Sequence, residues 1–394
     1  MTSRETGSPY ISWSATGKGT PAPTCSHSES ALKIEQMFDI VTVKGSLTWD
    51  KPGHHPRGGS VPDDTDRCET SYVSTHPYGP TRPTLRGMSK WDDFERAALV
   101  ALLRTRPEGL TWAQITSEVA DASSACAVWK RYRVPNLFDE DLTSEGTVDA
   151  TLASAMEEVN DWQKANFTFL TFPDEGYPAQ LREVHQIPPV LFTKGTFGPN
   201  EQAVSVVGSR KASESAIRIA TEISKGLVEC ELTVLSGLAE GIDTAAHISA
   251  LQSNGRTVAV IGTGISKYFP AFNHSLQDRI ANEGLVISQF WPDANGSKNS
   301  FPMRNATMSA YGIATIIVEA SERSGTRIQA RSAVAHGRPV ILMESVARGT
   351  NWGRDLRDKP GVYVAETPQN AVELAQGIAR EQELLLNLLE ITRG

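Results

Sequence analysis

Short β-branched runs at 204–207, 232–235, 258–261, 285–288, 313–318 and 339–342 alternate with amphipathic stretches such as 213–228 and 242–253. This alternation limits the fold more than any other feature of the chain. Runs of four to six apolar residues have strand length, and the stretches between them have helix length. Strands that are apolar throughout, rather than at every second residue, are covered on both faces. The pattern predicts a doubly wound, mostly parallel α/β sheet of extended Rossmann-like type over residues 166–350.

The flanks read differently. With 394 residues the chain is long enough for two or three domains. Residues 1–87 are rich in Ser, Thr, Gly and Pro, a composition that cannot bury enough apolar surface to offset its ordering entropy, and are expected to be a disordered extension. His54 and His55 lie in this segment without a carboxylate or thiolate at ligand spacing, and read as solvated. Met88 immediately precedes the first structural signal and is an alternative start of the chain.

Residues 88–165 read as a small helical module. Ser89 with Asp92 resembles a capping box, followed by Trp91, Phe94, Ala98, Leu99 and Leu102 at helical spacing. Pro107 and Gly109 end that helix, and Thr111 with Gln114 opens a second. Residues 351–394 form a tail with a strand at 362–365 and a helix from about Pro368 to Leu389.

The formal net charge of −8 argues against coating nucleic acid by bulk attraction, but leaves room for a local basic pocket. Cys25, Cys68, Cys126 and Cys230 are far apart and form no CxxC pair, so free reduced thiols are expected and a zinc site is not. No apolar run reaches membrane-spanning length, and the N-terminus lacks a signal pattern; a cytoplasmic protein is the expectation.

In a doubly wound sheet, ligands bind at the carboxyl ends of the strands, so the exits carry the functional reading. At the first exit, Gly208-Ser209-Arg210-Lys211 joins a strand to a helix start. The glycine admits close backbone approach, the helix start offers free N–H groups, and two cations stand beside it. The loop reads either as an anion site or as a tight turn with two solvated cations. It is not GxGxxG, and the chain holds no GxxxxGK[ST], which disfavours NAD and P-loop chemistry.

Ser236 and Gly237 form the second exit, and Asp243 and His247 share one face of the helix after it. They read as an acid/base pair or, with no nucleophile placed nearby, as a dipole-favoured carboxylate and a packed imidazole; the second reading is preferred. The third exit contains Gly262 with Lys267 and Tyr268, placed to meet a phosphate and a base or simply to form a surface loop. Arg304 and Asn305 follow Phe301-Pro302 at a helix start, where a cation implies an anionic partner or a nearby carboxylate. Ser324, Gly325 and Thr326 form a polar cap suited to phosphate.

Taken in order, these segments resemble the DNA-processing protein A (DprA/Smf) family. The resemblance rests on Tyr177-Pro178, Pro188-Pro189-Val190-Leu191, Val207-Gly208-Ser209-Arg210 and the run from Ser236 through Asp243. It continues with Ala246-His247, Phe301-Pro302-Met303-Arg304-Asn305 and the run from Glu319 through Gly325. It implies a Rossmann-like fold that binds single-stranded DNA in a basic pocket, forms a homodimer and works with the RecA recombinase in transformation. No catalytic residue, cofactor or metal is implied. By the resemblance the pocket residues are Gly208, Ser209, Arg210, Ser236, Gly237, Arg304 and Asn305; chemistry adds Lys211, Gly262, Lys267, Ser324 and Gly325.

The chain departs from the family pattern at Ala306, where a second arginine is usual, at Gln289, and at Met343-Glu344-Ser345, where Pro-Gly is usual. No winged-helix domain is recognisable after the α/β region. Two further readings compete. One is a nucleotide sensor of the same broad superfamily. The other is a nucleoside-monophosphate phosphoribohydrolase, whose signature Pro-Gly-Gly-x-Gly-Thr-x-x-Glu is not met by Arg323-Ser324-Gly325-Thr326-Arg327-Ile328-Gln329, which lacks the glutamate.

Overall fold

The computed structural model describes residues 91–132 and 150–391, with side chains up to residue 388. The expected disordered extension and its histidines, Cys25, Cys68 and Ser89 lie outside the described residues.

Among the described residues four α-helices come first: α1 (Asp93–Thr105), α2 (Trp112–Ala122), α3 (Ala125–Tyr132) and α4 (Ala150–Lys164). Asp92 caps α1, its carboxylate accepting from Glu95 N–H at 3.1 Å, as a short carboxylate side chain does at an N-cap. Thr111 and Gln114 form the complete reciprocal box that opens α2. Residues 97–103 of α1 are all buried, since the helix is covered on several sides.

The α/β region continues with β1 (Thr168–Thr171), α5 (Ala179–Arg182), β2 (Val190–Gly195), β3 (Ala203–Val207), α6 (Glu214–Glu229), β4 (Thr233–Ser236), α7 (Ile242–Gln252) and β5 (Thr257–Val260). Then follow α8 (His274–Glu283), β6 (Leu285–Ser288), α9 (Ser300–Tyr311), β7 (Ala314–Ile317), α10 (Thr326–Ala335) and β8 (Val340–Met343). The last elements are α11 (Glu344–Gly349), α12 (Asn351–Arg357), β9 (Val362–Ala365) and α13 (Pro368–Ile391).

The nine strands among the described residues form one sheet in the order β1-β2-β6-β5-β4-β3-β7-β8-β9. From β6 to β9 every pairing is parallel, as the buried runs predicted. β1 and β2 are an antiparallel pair, joined through α5, on the β6 edge, which the periodicity had not revealed. The strand at 362–365 is present as β9 and extends the opposite edge.

Alternation along the central strands divides the core in two. Val204, Val206, Ile316 and Ile341 pack with α6, α7 and α13 on one face. Ala203, Val207, Ile317 and Leu342 belong to the other core, with Met308 and Tyr311 of α9, Ala330 and Ala333 of α10, and the N-terminal helices. From β3 the chain winds outward through β4, β5 and β6; it then returns to the other side of β3 with β7. The exits of β3 and β7 thus flank the topological switch point, where such sheets open a crevice.

Candidate functional site

A cavity of about 600 Å³ lies at that crevice. Its lining includes Gly208, Ser209, Arg210, Lys211, Arg304, Asn305, Ser324 and Gly325. Eight of the expected site residues therefore converge on one volume.

Close backbone approach builds the β3 exit. A Cβ at Gly208 would stand 2.6 Å from Ile242 Cγ1 and 2.9 Å from the Glu319 carbonyl oxygen. Gly241 holds φ +83°, and a side chain there would overlap the Ser209 carbonyl. Ser213 caps α6 by accepting from Ala216 N–H at 3.1 Å. Its own hydroxyl donates to the Glu319 carboxylate at 2.6 Å, which latches the β3 exit to the β7 exit. Arg210 and Lys211 stay exposed beyond this latch, with the Arg210 guanidinium 5.1 Å from the centre of the Phe301 ring.

Ser236 and Gly237 work beneath the cavity. The Ser236 hydroxyl donates to the Val206 carbonyl at 2.7 Å and ties β4 to β3. A Cβ at Gly237 would overlap the Arg304 guanidinium, so this glycine makes room for the arginine. Arg304 is buried, and its Nη1 lies 3.8 Å from Asp243 Oδ2. Asp243 also accepts from Ala239 N–H at 3.3 Å. Burial pushes the Asp243 carboxyl up and the Arg304 guanidinium down from their ordinary values, and each charge opposes the other's shift. Asp243 is thus a nearby carboxylate of the kind that a cation at this helix start implies. The Arg304 Nε has no hydrogen-bond partner among the described residues, so donor capacity remains.

His247 is fully buried; its Nδ1 is 2.7 Å from Thr257 Oγ1, and burial lowers its pKa to about 3. It is neutral at physiological pH and packs against β5. Asp243 and His247 thus answer to different partners.

At the β7 exit, Ser324 Oγ bonds Thr326 Oγ1 at 2.7 Å, and Thr326 Oγ1 donates to the Gly208 carbonyl at 3.3 Å. Asn305 donates to the Gly325 carbonyl at 3.5 Å. The Trp352 indole donates to the Ser321 carbonyl at 3.2 Å, and Asn351 N–H donates to Glu322 at 2.8 Å; α12 thereby steadies this loop.

The remaining expected residues lie elsewhere. Gly262 supports the rim, since a Cβ would meet Phe301 Cδ1 at 2.6 Å. Lys267 pairs with Asp293 at 3.8 Å, and the Tyr268 hydroxyl donates to Asp278 at 2.8 Å; neither belongs to the cavity lining. Glu344 pairs with Arg348 at 2.6 Å and is likewise absent from the lining. Phe301, Met308, Ile328 and Gln329 line the cavity and had not been assigned to it. For Gln329 the available signal was its place one helical turn after Gly325.

The family model described as DNA recombination-mediator protein A matches residues 168–376, the whole sheet and the cavity with it. The chain belongs to this family. The DNA processing protein DprA of Streptococcus pneumoniae is 41% identical over 178 residues, 45% of this chain and 63% of that protein. Protein Smf of Synechocystis is 37% identical over 236 residues, 58% of this chain and 56% of that protein. The chain thus spans roughly three fifths of the length of these relatives. The X-ray structure of DNA processing protein A from Streptococcus pneumoniae superimposes with a TM-score of 0.52 at 30% identity, covering 73% of this chain and 93% of that one. Family membership agrees with the observed doubly wound sheet. Among the described residues no helix is long and apolar enough to cross a membrane.

Proposed function

We propose that the switch-point cavity grips single-stranded DNA through its phosphates, and that the chain serves as a recombination mediator in DNA uptake or processing. The observation that carries this is electrostatic. The exposed charged side chains that line the cavity, Arg210 and Lys211, are both cations, and the one lining carboxylate, Asp243, is buried against Arg304. A local positive rim on a chain of net charge −8 directs an anion to one place. Backbone at Gly208 and Gly325, with the hydroxyls of Ser209 and Ser324, supplies contacts that ignore base sequence.

Membership of a recombination-mediator family supports the cellular role, and the sequence resemblance supports a homodimer that works with a RecA-type recombinase. Unpaired thiols at Cys126 and Cys230 suit a cytoplasmic setting. No catalytic step belongs to this proposal: Arg304 engages Asp243, and burial keeps His247 neutral.

Fluorescence anisotropy of the full chain with labelled oligothymidylate tests the reading. Binding that unlabelled single strands displace, and that duplex and mononucleotide displace poorly, is the expected result. Equal displacement by a mononucleotide would replace it with the nucleotide-sensor reading.

A further inference from the structure

We propose that Gln329 reads the edge of one nucleobase in this cavity, an inference that rests on the single-strand reading above. Gln329 sits in the first turn of α10, lines the cavity and is 1% exposed. Neither its Oε1 nor its Nε2 meets a hydrogen-bond partner among the described residues. A buried amide with both groups unsatisfied is costly, so such a side chain is kept where a ligand completes it.

The surroundings indicate which ligand. One end of the cavity carries Arg210, Lys211 and the Gly208–Ser209 backbone, suited to a phosphate. Met308 and Ile328 add apolar wall on the side of α9 and α10. A phosphate-binding end, an apolar wall and a paired donor and acceptor together describe one nucleotide of a strand. An amide presents its N–H and C=O side by side, the complement of the N6/N7 edge of adenine or the O4/N3 edge of thymine. Each base offers a donor beside an acceptor, so the contact requires a base without selecting one. As an uncharged amide, Gln329 recognises and does not transfer protons.

The test compares labelled oligothymidylate with an abasic oligomer of equal length and phosphate count, using the full chain and Gln329→Met. The wild type is expected to bind oligothymidylate about tenfold more tightly than the abasic strand. Gln329→Met should cut that preference by about threefold or more, through weaker oligothymidylate binding rather than through a change on the abasic strand. A preference of undiminished size, or an equal loss for both strands, overturns the assignment of Gln329 alone. Failure of the wild type to bind either strand at low salt overturns the single-strand reading, and this proposal with it.

A second measurement needs no variant to fold. With glutamine-selective ¹⁵N labelling, one side-chain amide resonance should move on adding oligothymidylate and stay still with the abasic strand. Amide resonances unmoved by oligothymidylate contradict the proposal.

Discussion

At the residue scale, the site rests on buried charge and buried imidazole. Arg304 and Asp243 are each nearly sealed from water, and removing one partner of such a pair leaves the other uncompensated. Asp243→Ala should therefore lower the unfolding free energy by about 3–5 kcal/mol in a urea titration. The double variant Asp243→Leu with Arg304→Met should recover most of that loss, because a packed apolar pair avoids the desolvation cost. His247 makes a separate prediction about pH. Its folded value of about 3 lies below the ordinary 6.5, so its stabilisation is complete above pH 6.5 and falls as the pH drops toward 3. His336, half-buried beside His185 and Arg338, shifts in the same direction, to about 4. Urea titrations between pH 7 and pH 4.5 should show wild-type stability falling with pH, and His247→Gln should flatten the slope by up to about 1.4 kcal/mol per pH unit. An unchanged slope would mean that His247 is solvated.

At the element scale, the strand exits carry the site, and glycine determines how closely they approach. Gly241 holds a backbone conformation that side chains rarely adopt, directly beneath Ser209. Gly241→Ala should cost about 1–3 kcal/mol in stability and weaken oligothymidylate binding, since the Ser209–Lys211 loop must move. Stability and binding both at wild-type level would show that the loop accommodates the methyl group. The elements also show what the sequence could convey. The six buried runs emerged as parallel strands because a segment apolar on both faces admits few alternatives. β1 and β2 escaped notice because the exposed or half-buried positions of β1 break its apolar run, and β2 pairs with β6, remote in sequence. Thr111 announced its helix through a local contact with Gln114.

At the scale of the whole molecule, topology assembles the cavity. Gly208, Arg304 and Gly325 are distant in sequence, and they meet because β3 and β7 are neighbours at the switch point. Strand-exit logic predicted that convergence. It could not foresee that Lys267 turns to Asp293, because local spacing says nothing about a partner from another loop. Nor did it weigh Gln329, which its place one turn after Gly325 put near the exit but whose significance depends on having no partner among the described residues.

The most direct test of the account is a salt titration of oligothymidylate binding, with the full wild-type chain beside Arg210→Ala and Lys211→Ala. For single strands the logarithm of the binding constant falls with the logarithm of salt by about 0.7 per phosphate neutralised. Each variant should bind more weakly at low salt and show a slope shallower by about 0.7, the mark of one lost phosphate contact. Slopes equal to that of the wild type, or binding insensitive to salt, would contradict a phosphate-gripping site at the exit of β3.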